Sequence, residues 1–118
     1  MEKLKVIFHV NEKEKWDVAL KNITNLIKDV GEGNLDILVL ANGPSVGAYV
    51  DPIKIQTMED LAKKGVRFLA CRNSVKMMCS EGVICISEEG LPSFVTVVPA
   101  GITEIIKRQH EGYAYVKP

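Results

Sequence analysis

The sequence predicts one α/β domain over residues 1–118, in which helices cover both faces of a mostly parallel five-stranded sheet. Three observations favour this class. Strand-length apolar runs alternate with helical patterns, an order typical of right-handed crossovers between parallel strands. The runs at 35–40 and 66–70 are almost wholly apolar, as in strands buried on both faces. A chain of 118 residues is also long enough for one core and too short for two.

The first half of the chain contains two predicted strands and the clearest predicted helix. Leu4–Val10 is rich in β-forming residues and predicts the first strand. Asn11 and Glu14 are spaced as a helix-capping pair. The apolar residues that follow recur every three or four positions, as on one face of a helix: Trp16, Ala19, Leu20, Ile23, Leu26, Ile27 and Val30. The second strand is predicted at 35–40, and a turn at 41–45.

A short helix and the third strand are predicted in the middle of the chain. Pro52 limits the segment 46–55 to one helical turn, so we expect the helix to begin at Thr57 and to end at Gly65. The strand at 66–70 follows directly. A further helix is then predicted, with inward-facing residues at helical spacing: Val75, Met78 and Cys79.

The last third of the chain predicts a strand, a helix and a final short strand. The fourth strand runs from Phe94 to Val98. The segment 99–101 opens the last helix, with three isoleucines expected to face inward: Ile102, Ile105 and Ile106. The fifth strand is expected at 113–116, where we expect Tyr113 and Tyr115 to pack at a subunit boundary.

Composition and charge exclude several classes of protein. Fifteen basic and fifteen acidic residues give a formal net charge of +0, with no run of like charge, which argues against nucleic acid or an anionic membrane as a partner. No apolar stretch approaches the ~20 residues of a membrane span, and no signal-peptide pattern is present. Three cysteines, an odd number, do not predict a disulfide framework. We therefore expect a cytoplasmic protein.

The sequence also gives no reason to expect a cofactor or a metal. It contains no glycine-rich nucleotide-binding loop, no Cys-x-x-Cys spacing and no neighbouring histidines. A hydrophobic fraction of 47% is slightly high for a small domain, which leaves apolar surface available for a partner subunit. We interpret Cys79 and Cys85 as core or subunit-contact residues, either of which could also serve as a resolving thiol for Cys71.

The candidate site centres on Cys71, which lies between a predicted strand and a predicted helix. Asn73 and Ser74 are favourable helix N-caps, and the N-terminus of a helix favours an anion. Arg72 offers a neighbouring cation. Such surroundings favour the thiolate form of cysteine. In a parallel sheet the loops at the carboxyl ends of the strands converge, so we expect four loops at this edge: 9–11, 42–45, 71–74 and 99–101.

Each candidate residue also has a structural interpretation, and both interpretations stay open at this point. Cys71 is either a reactive thiolate or a small buried apolar residue. His9 either stabilises the thiolate or is a structural residue of its strand. Asn42 and Gly43 either bind a ligand or only form a turn, and Arg72, Asn73 and Ser74 either bind an anion or only cap the helix.

The chain resembles the DsrE/DsrF-like family, and in particular its small stand-alone archaeal and bacterial members. The motifs that carry this resemblance cover nearly the whole chain: Phe8–Glu12 with Trp16, Ala19 and Leu20, then Ala41–Pro44, Gly65–Phe68, Ala70–Ser74, Val97–Gly101, Arg108–Gln109 and Glu111–Pro118. The resemblance implies a flavodoxin-like three-layer fold, a homotrimer or homohexamer, and participation in sulfur relay. Cys71 is the position that matches the motif cysteine of this branch.

Two functions follow as expectations. The first is a sulfur-relay, sulfurtransferase-like protein in which Cys71 takes up sulfane sulfur from a donor and passes it to an acceptor protein. The second is an oligomeric binding or interaction module without chemistry, with a small-ligand pocket at the carboxyl edge of the sheet. A flavin-type electron carrier rests on analogy of fold alone.

Overall fold

The computed structural model describes residues 3–82 and 85–118 and contains an α/β fold with five strands and four α-helices in those ranges. The predicted domain, 1–118, also includes Met1, Glu2, Val83 and Ile84, which lie outside the described residues. The elements follow in the order β1 Leu4–Val10, α1 Trp16–Val30, β2 Leu35–Ala41, α2 Pro52–Lys63, β3 Arg67–Cys71, α3 Arg72–Ser80, β4 Val95–Val98, α4 Gly101–His110 and β5 Ala114–Val116. Short 3₁₀ segments connect several of them, at Lys13–Lys15, Glu32–Asn34, Gly43–Val50 and Glu88–Gly90.

The five strands form one parallel sheet in the order β4-β3-β2-β1-β5. The chain adds strands in one direction from β1 to β4 and then crosses the sheet to place β5 beside β1. Because right-handed crossovers in opposite directions place their helices on opposite faces, α4 lies on the face opposite to α1, α2 and α3. The prediction of a parallel sheet with helices on both faces is confirmed.

The two faces of the sheet bury unequal cores. The larger core packs α1, α2 and α3 against one face, with Trp16, Tyr49 and Phe68 in mutual aromatic contact at its centre. The smaller core lies under α4 and contains Ile7, Leu38, Leu40, Leu69, Val98, Ile105 and Tyr113. The apolar character of β2, which is buried at six of its seven positions, follows from its place between these two cores.

Buried hydrogen bonds fix the loop after β2 against the end of β1. The indole Nε1 of Trp16 donates to the backbone oxygen of Ser45 at 2.8 Å. The Ser45 hydroxyl lies within hydrogen-bond distance of the backbone oxygens of Val10 and Asn42. This loop therefore has a defined position at the carboxyl edge of the sheet, where the candidate site lies.

Two predicted helix starts were wrong. The first helix begins at Trp16 after a 3₁₀ turn, and neither Glu12 nor Lys15 at the cap positions makes a side-chain capping bond, so Asn11 is not the cap. The second helix begins at Pro52 and not at Thr57. Its cap is Asp51, whose side chain accepts the N–H of Ile53 at 3.1 Å. Proline has no N–H and a fixed φ, which suits the first position of a helix, so it starts α2.

The inward face of α4 was also predicted incorrectly. Only Ile105 of the three isoleucines is buried, whereas Ile102 is 64% and Ile106 is 50% exposed. The helix contacts the sheet through a narrow row formed by Gly101, Ile105 and the half-buried Arg108. In the described chain, α4 is the single α-helix on its face of the sheet, so this narrow row is the part of the helix that covers the smaller core.

The expectation that the cysteines form no disulfide is corrected for one pair. Cys79 and Cys85 are joined by a disulfide bond, and Cys71 is the free cysteine. Neither Cys79 nor Cys85 belongs to the buried core. Their sequence separation of six residues lets the chain after α3 turn back onto the helix. In the described part of the chain, no helix is long and apolar enough to cross a membrane.

Candidate functional site

Cys71 is the last residue of β3 and also the N-cap residue of α3, with no loop between the two elements. Its backbone is extended, with φ −74° and ψ 118°, as N-cap residues usually are. Asn73 and Ser74 were expected to be capping residues, but they lie inside the first turn of the helix. Their backbone N–H groups therefore have no partner within the helix and face its N-terminal end.

Several hydrogen-bond donors converge on Cys71 Sγ. The backbone N–H of Gly101, the first residue of α4, donates to the sulfur at 3.3 Å. The Ser74 hydroxyl and the backbone N–H groups of Ser74 and Asn73 also act on it. The sulfur therefore lies between the N-termini of two helices, where both helix dipoles favour negative charge.

These donors decide the acidity of the thiol. Cys71 is only 6% exposed, and its burial by itself raises the pKa. The hydrogen bonds from the Ser74 side chain and from the N–H groups of Gly101, Ser74 and Asn73 act in the opposite direction, and together they lower the pKa below its ordinary value of 9.0. A buried cysteine that served only as an apolar residue would have a raised pKa, so this environment favours the thiolate.

Ser74 connects the sulfur to the loop after β2. Its oxygen accepts the backbone N–H of Gly43 at 2.7 Å, which leaves the hydroxyl hydrogen available for Cys71 Sγ. Gly43 has φ +60°, a left-handed conformation that glycine adopts without steric cost. The turn at Gly43 therefore positions a hydroxyl that acts on Cys71, in addition to reversing the chain direction.

His9 and Asn42 form a second group of polar side chains at the same edge of the sheet. Asn42 Oδ1 lies 2.9 Å from His9 Nε2, and the Tyr115 hydroxyl lies 2.6 Å from His9 Nδ1. An amide oxygen can only accept, so Nε2 carries the hydrogen and, in the neutral imidazole, Nδ1 accepts from tyrosine. This assignment gives His9 a defined tautomer and ring orientation.

Gly101 lies between these two groups. A Cβ placed at this glycine would come within 3.4 Å of the Cβ of Cys71 and 3.6 Å of the Cβ of Asn42. It would also come within 3.2 Å of Leu40 Cδ2. The absence of a side chain at Gly101 therefore lets α4 begin close enough to donate its first N–H to the sulfur.

Arg72 and Asn73 point elsewhere. The Arg72 guanidinium forms a two-point ion pair with Glu88, at 2.7 Å from Nε and 3.2 Å from Nη2. The groups that lower the pKa of Cys71 are Ser74, Gly101 and Asn73, and Asn73 acts through its backbone. The side chain of Asn73 is exposed. Of the predicted site residues, the structure thus connects Cys71, Ser74 and Gly43 directly, and His9 with Asn42.

Three residues of this arrangement were not among the predicted site residues: Gly101, Tyr115 and Glu88. Gly101 had a recognisable signal, because it follows a predicted strand at the edge where the loops converge. Tyr115 reaches His9 because β5 pairs with β1, a strand order that local sequence patterns do not reveal. Glu88 begins the 3₁₀ segment Glu88–Gly90, which follows the Cys79–Cys85 disulfide in the chain.

A cavity on another part of the protein lies away from Cys71. It has a volume of about 780 Å³ and opens at the starts of β1 and β5, so it is at the opposite end of the sheet from the predicted ligand pocket. Its lining combines apolar side chains such as Leu4, Phe8 and Leu26 with Lys3 and Lys5. Within the described ranges, no three His, Cys, Asp or Glu side chains come together in a way that could hold a metal ion.

Comparisons with known proteins agree on the family and the fold. The model of the DsrE/DsrF-like family matches residues 6–118. The structure of a protein of unknown function, MTH1491 from Methanobacterium thermoautotrophicum, superposes with a TM-score of 0.84 at 28% identity, over 98% of this chain and 100% of that chain. The ychN protein from E. coli superposes with a TM-score of 0.71 at 16% identity over all of both chains, which shows a shared fold. No curated protein matches the chain.

Proposed function

The chain belongs to the DsrE/DsrF-like family, and on this basis we propose that it is a cytoplasmic sulfur-relay protein that carries sulfane sulfur on Cys71. The observation that carries the proposal is the convergence of hydrogen-bond donors on Cys71 Sγ from the starts of α3 and α4. Sulfur carriers need a cysteine that is readily deprotonated, because the thiolate is the nucleophile. The lowered pKa of Cys71 meets this need.

The transfer consists of two balanced exchange steps. The Cys71 thiolate attacks the outer sulfur of a donor persulfide, the S–S bond of the donor breaks, and the donor leaves as a thiolate. A thiolate of the acceptor then attacks the outer sulfur on Cys71, and Cys71 leaves as a thiolate. The pair of steps requires no oxidant or reductant, since each S–S bond that breaks is replaced by another. A thiol of lowered pKa also leaves faster, so the same donors assist both steps.

His9 is the candidate proton-handling group of the site. Its two ring nitrogens are both engaged, by Asn42 and Tyr115, so the ring has a fixed orientation at the edge of the sheet where Cys71 also lies. Imidazole is the side chain best suited to exchanging protons near neutral pH. We assign His9 to stabilise the thiolate of the departing donor or of the incoming acceptor.

Self-association as a homotrimer or homohexamer is part of the proposal. It is supported by the family and by exposed apolar side chains on α4, where Ile102 and Ile106 lie one turn apart. Ile102 follows Gly101 directly, so a subunit that covered this helix would lie next to Cys71. Light scattering at micromolar concentration should give three or six times the mass of the chain, and a monomeric mass would contradict the proposal.

The sulfur-carrier function can be tested by intact-mass measurement after treatment with inorganic polysulfide. We expect a gain of about 32 Da, one sulfur atom, that a reductant removes. The Cys71→Ser variant should not gain this mass. The double variant Cys79→Ser/Cys85→Ser is the matched control, and it should still gain one sulfur because it retains Cys71. An unmodified wild-type protein whose Cys71 reacts with iodoacetamide would rule out the proposed carrier function.

A second candidate function is a binding or interaction module without chemistry. The cavity of about 780 Å³ favours it, because cavities of this size accommodate small ligands. Its apolar lining, with Lys3, Lys5 and Glu111 as charged residues, suits a ligand with an apolar body and a polar group. The Cys71→Ser variant separates the two functions. Retention of the full cellular phenotype by this variant would support the module and exclude the sulfur carrier.

A further inference from the structure

The Cys79–Cys85 disulfide lies outside the site described above. Cys79 is in the last turn of α3, and Cys71 precedes the first turn. Cys79 lies eight positions after Cys71, which corresponds to about 12 Å along the helix axis. This distance prevents Cys79 from attacking a sulfur bound to Cys71 while α3 is folded. The disulfide therefore needs a different explanation from the resolving thiol that the sequence suggested.

The chain after the disulfide runs back along α3. Cys85 is bonded to the C-terminal turn of the helix, and Glu88 is paired with Arg72 in its first turn. A cavity of about 570 Å³ lies between the segment 86–89 and the helix, which contributes Val75, Lys76, Cys79 and Ser80 to its lining. The segment 85–88 is thus attached to α3 at two points, one covalent and one ionic.

The two attachments differ in strength. The Arg72 and Glu88 side chains are 37% and 36% exposed, and ion pairs at such exposure contribute little to stability on their own. The disulfide keeps Glu88 close to Arg72 and so raises the effective concentration of one partner around the other. Without it, residues 85–88 are ordered only by the ion pair and by the packing of Leu91 and Phe94 against the core, at a larger entropic cost.

The ion pair also determines what Arg72 does. Arg72 directly follows Cys71, yet its guanidinium is held by the Glu88 carboxylate. A guanidinium without that partner is a free cation on the residue that follows Cys71, whose sulfur accepts the N–H of Gly101. Both cysteines of the disulfide are accessible to a reductant, since Cys85 is exposed and Cys79 is half-buried.

We propose that the Cys79–Cys85 disulfide is a redox-responsive site that controls the reactivity of Cys71 through the Arg72–Glu88 ion pair. A dithiol reductant attacks the disulfide and becomes oxidised to its own disulfide, while Cys79 and Cys85 gain two electrons and two protons as thiols. The segment that carries Glu88 then separates from α3. Arg72 then becomes free to pair with the Cys71 thiolate. This pairing increases the fraction of Cys71 that is deprotonated.

The inference deepens the proposed function and rests on Cys71 being the reacting atom. The experiment measures the rate at which iodoacetamide modifies Cys71, followed by peptide mass spectrometry so that Cys79 and Cys85 are counted separately. Reduced wild-type protein should react roughly threefold faster or more than the oxidised protein, as expected for a thiol whose pKa falls by about half a unit. The rates are compared at one pH, below the pKa of the thiol.

Three variants make the result specific. Glu88→Gln keeps the disulfide but frees Arg72, so the oxidised variant should already react at the faster rate. Adding Arg72→Gln to this variant should restore the slower rate. Glu59→Gln removes a carboxylate from another exposed ion pair, with Lys63 on α2, and should leave the rate unchanged. Equal Cys71 rates in the oxidised and reduced wild type, or a slow rate in Glu88→Gln, would overturn the inference.

The alkylation rate and sulfur uptake are independent measurements. A Cys71 whose alkylation depends on the disulfide but that takes up no sulfur from polysulfide would support this inference and contradict the proposed function. Uptake of sulfur together with an alkylation rate that does not depend on the disulfide would support the proposed function and contradict this inference.

Discussion

The backbone N–H of Gly101 donates a hydrogen bond to Cys71 Sγ over 3.3 Å, between residues thirty positions apart in the sequence. Gly101 begins α4 and Cys71 precedes α3, and these helices lie on opposite faces of the sheet. One sulfur atom thus receives donors from the N-termini of two crossovers. Donors from two helix starts lower the pKa of the thiol, and the donor from α4 is the backbone N–H of Gly101.

Replacing Gly101 by alanine should weaken this interaction. The new Cβ would lie 3.2 Å from Leu40 Cδ2 and 3.4 Å from Cys71 Cβ, so either Leu40 or the start of α4 has to shift by a few tenths of an ångström, and a shift of α4 carries the Gly101 N–H away from the sulfur. We expect a loss of about 1–3 kcal/mol in the free energy of unfolding from overpacking. We also expect a raised pKa of Cys71, because the donor moves away. Urea denaturation and the pH dependence of alkylation measure the two effects.

Gly33→Ala provides a matched control for this substitution. A Cβ at Gly33 meets no atom within 4 Å, and its φ is not in the left-handed region. The free energy of unfolding and the pKa of Cys71 should both stay close to wild type. A Gly101→Ala protein that matched this control in the pKa of Cys71 would show that the Gly101 N–H does not act on the sulfur.

The Ser74→Ala variant should raise the pKa of Cys71. It removes the hydroxyl that lowers the pKa of Cys71 and leaves the helix backbone in place. Because the wild-type pKa is lowered, the variant should reach half-maximal alkylation at a higher pH. The absorbance of the thiolate at 240 nm during a pH titration gives the same midpoint independently. Ser80→Ala is the control, since this serine lies at the other end of α3 and bonds to the backbone oxygen of Met77.

The sequence was sufficient to predict the class of fold and the central cysteine. A continuous apolar run locates a strand well when both faces of the sheet are covered, as the position of β2 shows. Helix starts were harder to predict, because the residue that initiates a helix depends on local bonds. Asp51 caps α2 through one side-chain hydrogen bond, and Pro52 is the first residue of the helix. Proline also limits helices when it lies inside them, and this property led to the wrong start at Thr57.

The candidate site was predicted only in part, because its partners are distant in sequence. Cys71, Asn73 and Ser74 are adjacent and could be recognised together. Gly101 and Tyr115 reach the site only through strand order, which depends on the whole sheet. The exposed Ile102 shows a similar limit, because helical spacing identifies an apolar stripe and does not say whether a sheet or another subunit covers it.

A partly exposed network beside the smaller core should make the protein sensitive to acid. The Asp36 carboxylate accepts from the Tyr113 hydroxyl at 2.6 Å and pairs with Arg67. Burial raises the pKa of Asp36, but the hydrogen bonds from Tyr113 and Arg67 outweigh it and lower the pKa below its ordinary value of 3.8. A lowered folded-state pKa stabilises the protein above the unfolded value, and that stabilisation is lost as the pH falls through the folded-state pKa.

The Asp36→Asn variant tests this dependence. At neutral pH it should be less stable than wild type, and the difference in free energy of unfolding should shrink as the pH is lowered through and below 3.8. Asp17→Asn removes an exposed carboxylate paired with Lys54 and should stay close to wild type at neutral pH. A constant difference between wild type and Asp36→Asn over this pH range would contradict the network.

His9 should be found as the tautomer with hydrogen on Nε2. Its Nε2 faces the Asn42 amide oxygen, which cannot donate, and its Nδ1 faces the Tyr115 hydroxyl at 2.6 Å. Long-range ¹H–¹⁵N NMR spectra of the neutral ring distinguish the two tautomers by the chemical shifts of the nitrogens. In Tyr115→Phe the Nδ1 signal should shift, because the nitrogen loses its donor, while Nε2 stays protonated through Asn42. A neutral His9 with hydrogen on Nδ1 would mean that the Asn42 side chain presents its amino group, and the orientation assigned to both side chains would then be wrong.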